Sequence, residues 1–332
     1  MGKIPVSYLM SKHFLSFIIA FVLSISVIGG AMWRVLGPVG TTTDVVFVVP
    51  QQADDFDVPH ELYVQKLVRN ETAFYWFYTL FGSGKSVVPG GYRLNGAMTA
   101  WQMVKILTGA PQLVWVHIRE GIRKEQIGEL LGTTLGWTME QEKEWNAYKN
   151  DDPEYREGVY FPDTYLLPSD EPVSAVAERF ISHFNEKMSP YVDKFTAKNI
   201  KWTTAIKIAS LIERESGGDS DKALIAGIIW KRLDVDMKLE IDATLQYVKG
   251  NSVDGWWGKV VPADKYRDSP YNTYMHKGLP PGPISNPGLK AIEAVLNPAE
   301  TDCIFYLHSS DREIHCAETY AEHLKNIDTY LR

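Results

Sequence analysis

The sequence predicts an α+β chain: one apolar N-terminal helix, a small α+β unit, and a larger, mainly helical unit with a few short strands. Three observations predict it. Residues 14–33 run for 20 positions without a charge, the length an α-helix needs to cross roughly 30 Å of hydrocarbon. Between 43 and 118, short β-branched runs alternate with helical periods. From 119 onward the apolar spacing is mostly helical. The 332 residues allow about two domains at roughly 100–200 residues each. Their 45% hydrophobic content can bury a real core, which excludes disordered and disulfide-scaffold chains.

Lys3, Lys12 and His13 precede the apolar stretch and Arg34 follows it. The basic flank predicts a cytoplasmic tail over 1–13, a transmembrane anchor over 14–36, and everything after Gly37 outside. A cleaved signal peptide is the rival, although its apolar region usually spans only about 7–15 residues.

Asp44–Val49 reads as a strand. Pro59 opens a helix carrying Leu62, Val64, Leu67 and Val68, and an aromatic-rich helix covers Thr72–Leu80. Gly82-Ser83-Gly84 and Pro89-Gly90-Gly91 read as turns, and Tyr92–Leu94 as a second strand. Thr99 caps a helix over Ala100–Thr108, which Gly109 and Pro111 stop. Leu113–Ile118 is a third strand. These elements form the small unit, 43–118, and residues 119–332 form the second.

That second unit opens on an amphipathic helix in REGIRKEQIGELL, followed by a polar surface excursion to Tyr155. Glu157–Pro168 is too Pro-punctuated for one regular element. Helices are predicted over Val173–Met188, Thr203–Glu215 and Asp219–Leu233, the last two joined at Ser216-Gly217-Gly218. Ser269–Gly288 holds five prolines and three glycines yet carries aromatics, and reads as a rigid loop lining a cleft. Helix Leu289–Leu296, strand Cys303–Leu307 and helix Thr319–Leu331 complete the chain. The cysteines admit two registers. A two-residue Ser309-Ser310 turn sets Cys303 opposite Cys316 and permits a disulfide; a four-residue loop sets Cys303 opposite Glu318 and separates the thiols.

Composition removes several chemistries. Lys plus Arg is 34 against 41 Asp plus Glu, a net charge of −7, which argues against nucleic acid as a partner. Two cysteines and scattered histidines, of which His308, His315 and His323 form the one loose cluster, fit no standard metal motif. No nucleophile elbow, P-loop or dinucleotide-binding glycine pattern is present. The carboxylates remain. With Ile208 at zero on a helical wheel, Glu215 falls at about 340°, inside the apolar stripe, and Glu213 at about 140°, on its margin. Lys207, Ser210 and Arg214 take the polar side. An inward carboxyl is costly to ionise unless paired, so Glu215 is either a salt-bridge partner or a protonated general acid. Asp163 and Asp242 are possible second carboxylates; as structural residues they stabilise a turn and cap the Ala243–Tyr247 helix.

Several segments together resemble one family. EGVYFPDTY, ASLIERES, LEIDATLQY, SPYNTY, GLPPGPISNPG and YLHSSDREIHCAETYAEHLKNI stand in the order of the endolytic murein transglycosylases (MltG/YceG-like). The resemblance covers nearly all of residues 44–332. It departs at Lys231-Arg232-Leu233, where the family usually has asparagine before Arg-Leu, and at Leu239–Thr244, where it usually has L-Q-x-D-P-T.

What the resemblance implies is lytic cleavage of the MurNAc–GlcNAc bond inside nascent glycan strands, limiting their elongation. The family's catalytic glutamate matches Glu215. Glu213, Ser216, Asp242, Tyr271, Asn272, Thr273 and Tyr274 are the substrate-binding candidates. No cofactor or metal is implied. The small unit corresponds in position to a LysM-like subdomain, and the large one to the catalytic domain. The implied setting is the bacterial inner membrane, single-pass with the N-terminus inside, beside peptidoglycan synthases and the division or elongation machinery. Two other readings are an anchored hydrolase using Glu215, Asp242 and water, and a non-catalytic wall-binding protein.

Overall fold

The computed structural model describes residues 6–52, 56–150 and 155–331. Residues 1–5, with Lys3 of the basic flank, and Arg332 at the end of the second unit lie outside them, as do residues 151–154 of the polar excursion. Helix α1 spans Val6–Leu36. Its part from Phe14 to Leu36 has a mean hydropathy of 2.4 and none of it is buried, so it is long and apolar enough to cross a membrane. The chain does not run free after it. Leu36 packs against the apolar core of the small unit, and the Pro38 carbonyl accepts from Arg69 Nε at 3.0 Å and Nη2 at 2.5 Å. Gly40 N then bonds to Gly96 O at 2.9 Å.

The chain divides into two units: residues 1–115 with 166–169, and residues 116–165 with 170–332. In the first, strand β1 (Val45–Val49) pairs antiparallel with β2 (Gly90–Leu94), Val45 opposite Leu94 and Val49 opposite Gly90. Between them lie α2 (Val58–Val64) and α3 (Glu71–Phe81), capped by Asp57 and Asn70. Helix α4 (Ala100–Leu107) starts at Thr99, whose hydroxyl and Gln102 form the capping box. Phe47, Leu62, Phe74, Tyr92, Met103 and Leu107 fill the core. The sheet continues through β3 (Leu113–His117) to β4 (Thr164–Pro168), in the order β1-β2-β3-β4. Gly90 and Gly91, expected as a turn, are strand residues. A Cβ on Gly91 would stand 2.8 Å from the Leu113 Cβ, so glycine here permits a close strand approach.

The second unit is mainly helical. Helix α5 (Lys124–Leu135) begins five residues later than the charge pattern suggested. The polar stretch after it is not merely a surface excursion. It contains α6 (Met139–Ala147), whose Trp145 is fully buried. That indole bonds to Lys124 O at 2.8 Å and lies against α5 where Gly128 leaves room; a Cβ there would be 2.6 Å from the ring. One large apolar side chain outweighs a polar helix when its socket is built elsewhere. Helix α7 (Val173–Ala197) runs past the expected end at Met188 and through Pro190, because Phe195 extends its buried stripe.

Helix α8 (Trp202–Glu215) is central. It packs against α7, α9 (Lys222–Asp234), α10 (Asp242–Lys249) and α11 (Leu289–Leu296). Its expected polar side is therefore not a solvent face. Ser210 is fully buried, donating to Lys207 O at 2.7 Å and accepting from Ile284 N at 3.1 Å. Arg214 stacks on Trp257 at 3.8 Å. The segment 269–288 is irregular throughout and packs onto these helices. The chain ends on the hairpin β5 (Phe305–His308) and β6 (Ile314–Ala317), then α12 (Tyr320–Tyr330).

The hairpin has neither expected register. His308 pairs with Ile314 and Phe305 with Ala317. Ser309 N still bonds to Glu313 O, so the loop is Ser310-Asp311-Arg312, with Arg312 left-handed at φ 68°. Cys303 and Cys316 are nevertheless disulfide-bonded, with a Cα–Cα distance of 5.8 Å. Cys303 precedes β5 and is not bound to the ladder that would have placed it away from its partner.

Candidate active site

The last turn of α8 delivers two carboxylates to different surroundings. Glu213 is nearly buried and ion-paired with Lys222 Nζ at 3.2 Å, and it accepts from Gly288 N, the cap of α11, at 3.1 Å. Burial alone would lower the affinity of Lys222 for its proton. Its hydrogen bond to Asp219 and the charges of Glu213 and Glu120 outweigh that and raise it.

Glu215 has no ion-pair partner among the described residues. Its Oε2 accepts from Tyr306 Oη at 2.7 Å, and the Ala243 backbone N–H at the start of α10 also favours its charged form. Burial raises its pKa above the ordinary carboxylate value, and the nearby charge of Asp242 raises it further. The Tyr306 bond, the Ala243 N–H and the charge of His308 pull the other way without cancelling the rise. Burial and the adjoining Glu215 in turn push the Tyr306 phenol well up, keeping it a donor.

The supports of this site are local. After Glu215 the chain turns at Ser216-Gly217-Gly218, and Asp221 holds the turn by accepting from Gly217 N at 2.8 Å and Gly218 N at 3.3 Å. His308 Nε2 lies 2.7 Å from Asp221 Oδ2. Tyr306 and His308, two apart on β5, share one strand face. Beneath them the Arg232 guanidinium donates to Ile304 O at 2.6 Å.

The substrate candidates fall into separate groups. Asp242 is exposed, the first residue of α10 rather than its cap, and accepts from Tyr274 Oη at 2.7 Å. Ser216 is half-buried at the end of α8. These two and Tyr274 cluster with Glu215. Asn272 and Thr273 do not present their side chains to a ligand, being 0% and 2% exposed. Asn272 donates to Lys265 O and Arg267 O and accepts from Tyr274 N. Thr273 Oγ1 accepts from Ile241 N at 2.9 Å and seats the start of α10. Both position the loop and helix that frame Glu215. Tyr271 packs at a tilt on Tyr247, ring centres 4.9 Å apart, and lines a different recess. Asp163 accepts from Thr164 N and pairs with His183 at 2.8 Å, a turn and helix anchor.

Tyr306, Asp221 and the role of His308 were not visible as site residues in the sequence. The usable signal was the Tyr-x-His spacing of Tyr306 and His308, which begins in the predicted strand Cys303–Leu307 and runs one residue past it inside a family-like segment. Among the described residues, no cluster of His, Cys, Asp and Glu is arranged to hold a metal ion.

Comparison with known proteins matches the sequence model of the YceG-like family to residues 47–329. The chain belongs to the YceG-like family. An endolytic murein transglycosylase of Bacillus subtilis is 28% identical, over 92% of this chain and 91% of its own length. One from Streptococcus pneumoniae is 26% identical over 77% of this chain, which spans only 53% of that relative. The crystal structure of a yceG-like protein from Listeria monocytogenes superposes with a TM-score of 0.56 at 25% identity, covering 85% of this chain and 99% of that one. Both ASLIERES and the Tyr306–His308 strand lie inside the family match.

Proposed function

We propose that the protein is an endolytic murein transglycosylase that cuts the MurNAc–GlcNAc bond within nascent glycan strands and leaves 1,6-anhydroMurNAc ends. The observation that carries this reading is Glu215: a carboxyl with raised proton affinity, fixed by Tyr306 and the start of α10, in a YceG-like chain. Protonated Glu215 gives its proton to the glycosidic oxygen as the bond breaks. The resulting carboxylate is met by the Tyr306 O–H and the Ala243 N–H, both of which favour the charged form. It then takes the proton from the C6 hydroxyl of the muramic acid, which attacks its own C1 and closes the anhydro ring. The nucleophile belongs to the substrate, so positioning supplies much of the rate. In this reading Asp242, held by Tyr274, supplies the negative charge that offsets the oxocarbenium-like positive charge.

In this reading Asn272, Thr273 and Glu213 act through the framework they hold, and Ser216, Asp242 and Tyr274 contact sugar. The α1 span anchors the chain in the inner membrane with its N-terminus inside. The Cys303–Cys316 bond supports an oxidising, extracytoplasmic setting. The β1-α2-α3-β2 arrangement supports a LysM-like, glycan-binding role for residues 43–118, with catalysis in 119–332. Peptidoglycan synthases and the division or elongation machinery are the expected neighbours.

Mass spectrometry of muropeptides after incubation of glycan strands with the full chain tests the reading. Anhydro-muramic ends are expected, absent with Glu215→Gln. Reducing ends one water heavier would assign a hydrolase using Glu215 and Asp242. Binding without any release would assign a wall-binding protein.

A further inference from the structure

A second recess lies along the first half of α8. It encloses about 350 Å³, and its lining includes Arg156, Glu157, Trp202, Lys207, Tyr271 and Pro283. Neither the Arg156 guanidinium nor the Lys207 ammonium meets a carboxylate partner among the described residues. Two cations facing one recess repel each other until an anion joins them. The aromatic walls are fixed in advance: Trp202 packs on Tyr155 at 5.4 Å and Phe184 at 5.8 Å, and Tyr271 on Tyr247 at 4.9 Å.

Glu157 gives the recess its selectivity. Its Oε1 accepts from Lys124 N at 3.1 Å, Gly158 N at 3.3 Å and Asn286 Nδ2 at 3.0 Å, whereas Oε2 has only a 3.3 Å contact with Lys124 N. Burial pushes this carboxyl up to about 7. A buried carboxyl in the lining of the same recess opposes a phosphate dianion and suits a singly charged group that also brings an N–H.

The recess is tied to the Glu215 site by three elements. Lys207 and Glu215 stand eight residues apart on α8, ~12 Å along its axis. Tyr271 lines the recess and Tyr274 holds Asp242, three residues apart in one loop. Tyr247, against Tyr271, lies in the same helix α10 whose Ala243 N–H meets Glu215.

We propose that this recess is a subsite for the peptide branches of the glycan, with a branch carboxylate between Arg156 and Lys207 and the peptide against Trp202 and Tyr271. The inference rests on the transglycosylase reading, because bare sugar offers no such anion. The test uses the full chain in detergent on three substrates: strands with peptide branches, strands stripped of them by an amidase, and strands whose branch carboxylates have been amidated. The wild type should prefer the first. Arg156→Ala with Lys207→Ala should cut that preference in kcat/KM about tenfold, through KM. An unchanged preference, an equal loss on stripped strands, or a preference surviving amidation overturns the subsite. Calorimetry of a muramyl peptide binding to Glu215→Gln, with and without the double substitution, reads the recess independently of turnover. Cleavage of no strand by the wild type would sink the transglycosylase reading alone, while equal calorimetric affinities would sink the subsite.

Discussion

The two sides of the last turn of α8 carry the same functional group in opposite circumstances. On one side Glu213 is nearly buried against Lys222, with Gly288 N completing its bonds. On the other, Glu215 has neutral donors, Tyr306 and the Ala243 N–H, and a neighbouring carboxylate, Asp242. Burial is common to both. What differs is the partner, and the partner decides whether a carboxyl is consumed as structure or kept as an acid.

The sharpest way to break this contrast is to remove each carboxyl in turn. Glu215→Gln should abolish release of anhydro ends, at or beyond the upper end of the roughly 10²–10⁴-fold cost of losing a general acid–base. Glu213→Gln should reduce activity far less. An inactive Glu213→Gln beside a nearly normal Glu215→Gln would reverse the assignment. Next in size, Lys222→Met leaves Glu213 buried without its cation. It should destabilise the fold by about 3–5 kcal/mol, read by urea denaturation; a loss within 0.5 kcal/mol, about what a surface substitution costs, would mean that Lys222 is dispensable.

The Glu215 side can be tuned rather than removed. Tyr306→Phe deletes a donor to the charged form, so the pKa of Glu215 rises further and the alkaline limb of kcat moves to higher pH. Hydrogen bonds to charged groups contribute about 1.5–3 kcal/mol, so kcat should fall roughly 10–100-fold. Asp242→Asn removes a like charge and should move the same limb to lower pH. Shifts of equal sign in the two variants would contradict the electrostatic account. The smallest effect belongs to Glu157. Its folded-state value of about 7 lies above the ordinary 4.5, so the native state holds this proton longer than the unfolded chain does. The corresponding stability is complete below about pH 4.5 and is lost as pH rises through 7. Glu157→Gln should therefore show a smaller fall in Tm between pH 5 and pH 8 than the wild type.

How much of this was legible follows from what each feature depends on. Helix α11, the Thr99 cap and the position of Glu215 at the end of α8 are local in sequence, and periodicity and capping chemistry expose them. Trp145 and the far end of α7 depend on sockets built by other elements, which no local pattern displays. The same limit hid Tyr306 and His308, which lie about 90 residues beyond Glu215 and meet Glu215 and Asp221, respectively, only through the packing of β5. Asn272 and Thr273 show the reverse error. A polar motif near a catalytic residue suggests ligand contact, yet the hydrogen bonds of both are spent inside the protein.

The end of α1 has one further consequence. Leu36 is packed into the first unit, Arg69 grips the Pro38 carbonyl, and Gly40 is bonded to Gly96. A flexible tether would let the attached unit range outward by several ångströms for every square root of its length, but here the joint is stiff from its first residues. In an anchored chain the first unit stands at a fixed height above the lipid. On the proposed reading, in which residues 43–118 bind glycan, that height selects by altitude: strands just leaving the membrane come within reach, and older layers farther out do not.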